Sequence, residues 1–226
     1  MIKSDLPSTI STHIFHSLRQ KIIEGELQPG KALREEEIRE KHGSSRGPIR
    51  ESLRLLLQTG LVEHQPRKGF RVRHYNPLDI KQIYELRANL EAQVIDDLTG
   101  RDLTPLTASL KEICERMNGF YAQNNRKSYF TENECFHGEI ILFANNRILL
   151  EIMDYVNEVS LPVRYRLLGD ALPSRRSLTY HENIVELLEQ GNIEKAKYAT
   201  EHHILENINR AVAAYSKDQI FSGINK

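Results

Sequence analysis

The sequence predicts a mainly α-helical chain in two parts: three short helices with a β-hairpin, then an antiparallel all-α bundle. Three observations lead there. Apolar residues recur at helical spacing through most of the 226 residues. The one stretch that suits short strands instead, Leu61 to Arg73, is centred on the turn Gln65-Pro66-Arg67-Lys68-Gly69. From Leu78 onward the pattern is helical throughout.

Composition sets the class. With 39% apolar and 27% charged residues the chain reads as an ordinary soluble protein. No run approaches 18 apolar residues, so no membrane span is expected. Met1-Ile2-Lys3-Ser4-Asp5 lacks a signal-peptide core. Cys114 and Cys135 are the two cysteines. They imply no disulfide framework, are expected in the core, and make a reducing cytoplasm the expected location. The net charge of zero hides an asymmetry. Residues 1–75 hold 14 Lys/Arg against 9 Asp/Glu, and residues 76–226 hold 17 against 22. A basic N-terminal third on a mildly acidic body suits a nucleic-acid-binding unit attached to something else.

The first helix is expected from Ser8 to Glu24, with Ile10, Ile14, Leu18 and Ile22 as one apolar stripe. Turn chemistry at Gly25-Glu26-Leu27-Gln28-Pro29-Gly30 ends it. A short helix, Arg34 to Lys41, turns its Ile38 inward, and His42-Gly43-Ser44 leads into a third helix from Ser45 to about Thr59. Ser45 is placed to cap that helix, and Pro48 falls in its first turn, where a missing N–H costs little. Arg46 and Arg50 are four apart and share a face; Ile49, Leu53, Leu56 and Leu57 take the opposite, packing face. Gly60 stops the helix, and two cations, Arg67 and Lys68, sit at the tip of the hairpin that follows. Three helices and a hairpin make a winged helix-turn-helix, over residues 1–74. His74-Tyr75-Asn76-Pro77 reads as the linker to a helical part over residues 78–226.

In that part Ile80, Ile83, Leu86, Leu90, Val94 and Leu98 form one stripe. Thr104 as cap and Pro105 open the next helix, where Leu106, Leu110, Ile113 and Met117 continue the period. Further helices are expected near 127–144, 147–168, 174–190 and 192–216, six in all, with breaks at Asn145-Asn146 and Gln190-Gly191-Asn192 and a bend at Pro162. Such a bundle has enough core to fold alone.

These pieces resemble the GntR family of bacterial transcription regulators. Leu27-Gln28-Pro29-Gly30-Lys31-Ala32-Leu33 is similar to its L-x-P-G-x-x-L turn, and Ser45-Arg46-Gly47-Pro48-Ile49-Arg50-Glu51-Ser52-Leu53 to its S-R-T-P-V-R-E-A-L signature. Gly60-Leu61-Val62 with Pro66 to Val72 is similar to its wing. Gly47 departs from the usual Thr, losing a hydroxyl and adding about 1 kcal/mol of helix cost. The remainder resembles the FadR-type ligand-binding domain called FCD. Glu85-Leu86-Arg87-Ala88-Asn89-Leu90-Glu91 is similar to its E-x-R-x-x-L-E, and Asn133 to Ile140 to its D-x-x-F-H-x-x-L.

The resemblance implies a divalent metal, Zn²⁺ or Ni²⁺, held by Asn133, His137, His181 and His203. Asn133 stands where the family has Asp, and its neutral amide is the weaker ligand. Asn133 and His137 are four apart and can face one point; His181 shares a face with Ile184 and Leu188. The alternative is hydrogen-bonded histidines around a metal-free pocket. His202 reads as a solvated neighbour and Arg175-Arg176 as a solvated helix start. Arg87, with Asn207, is a candidate effector contact, since guanidinium clamps carboxylate bidentately; the alternative is a plain salt bridge to Glu91.

The expected function is a homodimeric, ligand-responsive, sequence-specific regulator rather than an enzyme. Ser45, Arg46 and Arg50 would meet the major groove of a double-stranded operator, an inverted repeat, and Arg67, Lys68 and Gly69 the backbone or minor groove. Arg67 and Lys68 read equally as a solubilising turn. An organic or sugar acid would be the effector. A metal-dependent hydrolase and a nonspecific DNA-architecture protein are the alternatives from other classes.

Overall fold

The computed structural model describes residues 9–169 and 175–222. Ser8 and Ser174, two expected helix starts, and the Met1 to Asp5 segment lie outside the described residues, as does the side chain of Arg176. The described part is mainly α. The head comprises α1 (Ile10–Ile23), β1 (Ala32–Leu33), α2 (Glu35–His42), α3 (Arg46–Gln58), β2 (Val62–Gln65) and β3 (Gly69–Val72). The bundle comprises α4 (Pro77–Asp96), α5 (Thr104–Ala122), α6 (Arg126–Ala144), α7 (Arg147–Gly169), α8 (Arg175–Glu189), α9 (Ile193–Leu205) and α10 (Ile208–Ser222). No described helix is long and apolar enough to cross a membrane.

Local chemistry explains the ends. Thr9 and Thr12 satisfy each other's backbone in a reciprocal box that starts α1, with Thr12 N–H donating to Thr9 Oγ1 at 3.2 Å and Thr9 N–H to Thr12 Oγ1 at 2.9 Å. Ile14, Phe15, Leu18 and Ile22 of α1 pack on Ile38 of α2 and Ile49, Leu53 and Leu56 of α3. The sheet has order β1-β3-β2 and is antiparallel throughout, with Leu33 opposite Phe70 and Val62 opposite Val72. The strand β1 was not expected from the sequence: Ala32 and Leu33 are too short a pair to show a period of two.

Other expectations are corrected by packing. Ile10 is exposed at the start of the α1 stripe, Leu57 lies 39% exposed beside the α3 packing face, and Leu86 of α4 faces out. Asn76 and Pro77 do not form a linker. Asn76 Oδ1 accepts from the N–H groups of Leu78 and Asp79, so the pair begins α4, and Tyr75 is buried just before it. Thr104 is the first residue of α5 rather than its cap; its N–H donates to Asp102 Oδ1. The expected 192–216 helix is two helices, α9 and α10, because Glu206 ends the first. The bundle therefore has seven described helices. Cys114 is buried in the core as expected, but Cys135 is exposed.

Two apolar clusters build the bundle. One runs through Val94, Leu110, Phe136, Met153, Ile184 and Ala196; the other through Tyr75, Tyr84, Val163, Ile204 and Tyr215. The helices α4, α7 and α9 contribute to both. Between the clusters, on those helices and on α6 and α8, lie the buried polar side chains Arg87, Glu91, His137, Arg164, His181 and His203.

The head sits on α7. Arg19 of α1 grips the buried Glu158 through Nε to Oε1 at 2.5 Å and Nη2 to Oε2 at 2.8 Å. Lys127 of α6 reaches Glu24 at 3.0 Å. Gly60, at φ +77°, presses against α7 so closely that a Cβ there would lie 2.6 Å from Val159 Cγ1. Gly60→Ala is therefore expected to lose about 3 kcal/mol, from left-handed backbone strain and overpacking together. Urea denaturation measures the loss, and Val159→Ala in the same chain should recover only the share owed to Val159, since Tyr155 also lies 2.9 Å from that Cβ.

Candidate functional site

Three histidines from three helices meet between the apolar clusters. His137 of α6, His181 of α8 and His203 of α9 are all buried, and one nitrogen from each lies within 4.8 Å of the others. The ring centroids are 5.5 Å apart for His137–His181, 4.6 Å for His181–His203 and 5.8 Å for His137–His203. In a tetrahedral Zn²⁺ site two nitrogens bound at about 2.0–2.1 Å sit roughly 3.3–3.4 Å apart, so closing on an ion takes a contraction of up to about 1.4 Å.

The surroundings orient the rings. His137 Nδ1 pairs with Glu91 Oε2 at 2.7 Å, and His181 Nδ1 donates to the Ser177 carbonyl at 2.8 Å. Each contact leaves the Nε2 of its ring toward other partners, which is how metal-ligating histidines are held. His181 Nε2 and His203 Nδ1 are buried with no hydrogen-bond partner. Such orphans are costly in a finished core and are what an ion would satisfy. The donor set therefore fits a borderline metal such as Zn²⁺ or Ni²⁺.

Electrostatics agree. Burial first, then the neighbouring His137, pushes the His181 imidazole down to about 3. His203 is pushed well down by burial and by His181. Both are neutral at pH 7, the form that binds metal. Burial alone would raise the Glu91 carboxyl, but the Arg87 and His137 charges and the His137 hydrogen bond outweigh it and hold it at about 2. Glu91 is thus an ionised, buried carboxylate between an arginine and a candidate ligand.

Beside the histidines lies a small cavity of about 50 Å³, lined among others by Asn133, Arg87, Arg164, Asn207 and Arg210. Asn133 faces this space one turn before His137, with its Nδ2 3.4 Å from Glu134 Oε1. Arg87 makes the ion pair with Glu91 that the sequence offered. Its Nε is 2.6 Å from Glu91 Oε1, too bent for a hydrogen bond, while its buried Nη2 has no partner. Asn207 donates to the His203 carbonyl at 2.7 Å and accepts from Arg210 at 3.1 Å. Sequence reasoning missed Arg164, which is fully buried, takes Ser160 Oγ at 3.0 Å and pairs with Glu134. Its register with Met153, Val156 and Ser160 on the buried face of α7 was the available signal. His202 is 44% exposed, as expected of a neighbour, and Arg175 is exposed at the start of α8.

On the head, Arg46, Gly47 and Arg50 face solvent from the first turns of α3. Arg54, one turn further, extends the row and was not singled out in the sequence. Arg50 is not free: Glu35 of α2 holds its Nε. Ser45 occupies the cap position, but its hydroxyl makes no capping bond. Pro48 stands third in the helix and has no N–H for the hydroxyl to accept, which leaves the Gly47 N–H as the one donor a cap there could use. Arg67, at φ +64°, and Lys68 project from the wing tip, where Lys68 N–H closes the turn on the Gln65 carbonyl at 3.0 Å.

Residues 82–206 match the FCD domain family and residues 10–72 the gntR family of bacterial regulatory proteins. The chain is 28% identical over 211 residues to the Bacillus subtilis HTH-type transcriptional regulator YdhC, covering 92% of this chain and 91% of that one. It is 25% identical over 186 residues to the B. subtilis gluconate operon transcriptional repressor, covering 80% and 76%. The crystal structure of a GntR transcriptional regulator from Rhodococcus sp. RHA1 superposes with a TM-score of 0.73 at 26% identity, over 91% of this chain and 98% of that one.

The buried imidazoles make stability depend on pH. In the folded chain His181 stays unprotonated down to about 3, whereas the unfolded chain protonates it near 6.5. The unfolded state binds more protons between those values, so stability of the metal-stripped protein is expected to fall as pH drops from about 6.5. His181→Gln should flatten the slope by up to one proton, roughly 1.4 kcal/mol per pH unit, in urea denaturation followed from pH 7 to pH 4.5.

Proposed function

The chain belongs to the GntR family of bacterial transcription regulators and carries the FCD domain, and on that premise we propose a homodimer whose operator affinity is set by a carboxylate effector bound beside a divalent metal. The family consists of regulators, not enzymes. Residues 1–74 form the DNA-reading unit and residues 78–226 the effector-binding and dimerisation unit, working in the cytoplasm. The observation that carries the reading is the solvent-facing row Arg46, Arg50 and Arg54 on α3, next to the cationic wing tip.

Arg46 and Arg50 reach base edges in the major groove, where one bidentate arginine–guanine pair contributes about 1–3 kcal/mol of discrimination. The Ser45 hydroxyl, unused by its own helix, is available to a phosphate. Arg67, Lys68 and the Gly69 backbone meet the flanking backbone or minor groove. Two-fold symmetry of the dimer asks for an inverted repeat.

His137, His181 and His203 hold the metal, with the Asn133 oxygen as a fourth, weak ligand. A divalent ion there supplies a Lewis-acidic anchor for a carboxylate. Arg87, with its buried unpartnered Nη2, and Asn207 orient the acid. Three arginines line the cavity, and among the described residues Glu91 and Glu134 offset them. The cavity is small, about 50 Å³, so it takes an acid head group, and a whole sugar acid must widen it. The resemblance to a gluconate operon repressor points to that ligand class. Widening among α4, α7 and α9 shifts the head seated on α7, with a coupling of about 1–3 kcal/mol.

The test is thermal unfolding of chelator-stripped protein with Zn²⁺ or Ni²⁺, then with gluconate, citrate or other small acids added. Saturating metal at about 100 times its Kd should stabilise the wild type by roughly 2.7 kcal/mol and leave His203→Ala unmoved. No stoichiometric metal by elemental analysis after supplementation would retire the metal part. On DNA, Lys68→Ala should weaken binding to all sequences alike and reduce the salt slope by about one.

A further inference from the structure

The front of α3 is braced from α2. The Nε of Arg50, in the second turn of α3, lies 3.0 Å from Glu35 Oε2 and 3.2 Å from Glu35 Oε1. The Arg50 side chain keeps 62% of its exposure and that of Glu35 34%. An ion pair this open adds little to stability, so folding gives small reason for it. Its geometry gives a better one. Both carboxylate oxygens converge on Nε, and among the described residues nothing holds Nη1 or Nη2. The guanidinium is a rigid plane, so a grip on Nε fixes the direction of the two terminal donors while leaving them free. That fork is the one that matches O6 and N7 of guanine.

The charge pattern of α2 singles out the same residue. Its first turn carries three glutamates in a row. Glu36 pairs with Arg39 and Glu37 with Arg34, both inside α2 or its cap, whereas Glu35 reaches across to α3. An unpaired carboxylate there would repel phosphate, but paired to Arg50 its charge is already offset.

We propose that Glu35 is a positioning residue for base reading: it aims the Arg50 fork at one guanine of each half-site and so sets specificity at that base pair. The proposal rests on the reading of α3 as the DNA-recognition helix.

The experiment uses the full chain. Wild-type protein selects an operator from random-sequence duplex DNA, and each guanine of that duplex is then replaced in turn by 7-deazaguanine, which removes the N7 acceptor. The wild type is expected to lose about tenfold in affinity at the guanine Arg50 reads, and Arg50→Ala to lose that sensitivity. Glu35→Gln keeps the side chain's size and is expected to retain its melting temperature and its affinity for scrambled duplex. At the same guanine it should discriminate only about two- to threefold, a split that a merely structural role would not produce. Full discrimination by Glu35→Gln, with Arg50→Ala insensitive, overturns the proposal and leaves the recognition helix standing. Tighter binding of the selected operator by Glu35→Gln overturns it in favour of a masking role. Equal weakening of Glu35→Gln on selected and scrambled duplexes overturns it in favour of a structural one. If Arg50→Ala keeps the wild-type pattern at every guanine, Arg50 does not read bases and the proposal falls with that reading.

Discussion

The bundle turns on one buried carboxylate. Glu91 is 3% exposed, yet it is ionised, because Arg87 stands on one side of it and His137 on the other. An isolated charge there would cost several kcal/mol, so the three side chains are stable only as a unit. Their place explains why a polar layer exists at all. The apolar faces of α4, α7 and α9 each split into two clusters, and the gap between the clusters is where the polar side chains stack. A continuous apolar core would fold more simply but would leave no preformed, oriented imidazoles. The Glu91–His137 contact fixes one ring, the Ser177 carbonyl a second, and the unsatisfied nitrogens point into the space between.

The helix α7 links this layer to the head. Glu158 is gripped by Arg19 of α1, and Val159 lies under Gly60 at the end of α3's turn. Six residues later on the same helix, about 9 Å along its axis, Arg164 lines the cavity and bridges to Glu134 of α6. Arg164 and Glu158 lie on one helix, with Pro162 and its missing N–H between them, so on the proposed reading an occupant that draws Arg164 away from Glu134 acts on the helix that carries the head. The Arg19–Glu158 contact is bidentate and half of it is buried, so it transmits displacement better than the exposed lysine pair Lys127–Glu24 beside it.

Much of this was legible in the sequence, and the illegible parts share physical causes. Long amphipathic stretches announced α1 and α4 to α9, because burying a stripe needs the same period wherever it packs. The three histidines were legible only through resemblance, since nine histidines in a chain carry no spacing signal of their own. What stayed hidden depends on tertiary partners. Two residues of β1 become a strand only because β3 lies beside them. Asn76 and Ser45 are both cap types, yet one caps and the other does not. The position of the proline differs: at the first helical position after Asn76 it spares both donors that a cap uses, and at the third position after Ser45 it removes one of the two. Cys135 shares its helix with buried Phe136 and His137 but falls on the opposite side.

On the proposed reading, the substitution at Asn133 changes the charge balance of the cavity in a way that ties its two ligands together. Three imidazoles and an amide bring no negative charge to a divalent ion. Arg87, Arg164 and Arg210 face the same space, and the carboxylates that pair with them, Glu91 and Glu134, number two. An ion would therefore raise an already positive site by two more charges, and the usual aspartate is missing from its share of the compensation. A bound acid restores that balance directly, because its carboxylate can meet the ion and Arg87 together. Each ligand then favours the other, and by linkage the gain is equal in both directions. With a neutral residue at position 133, that reading would have metal and effector held as a pair more strongly than either alone.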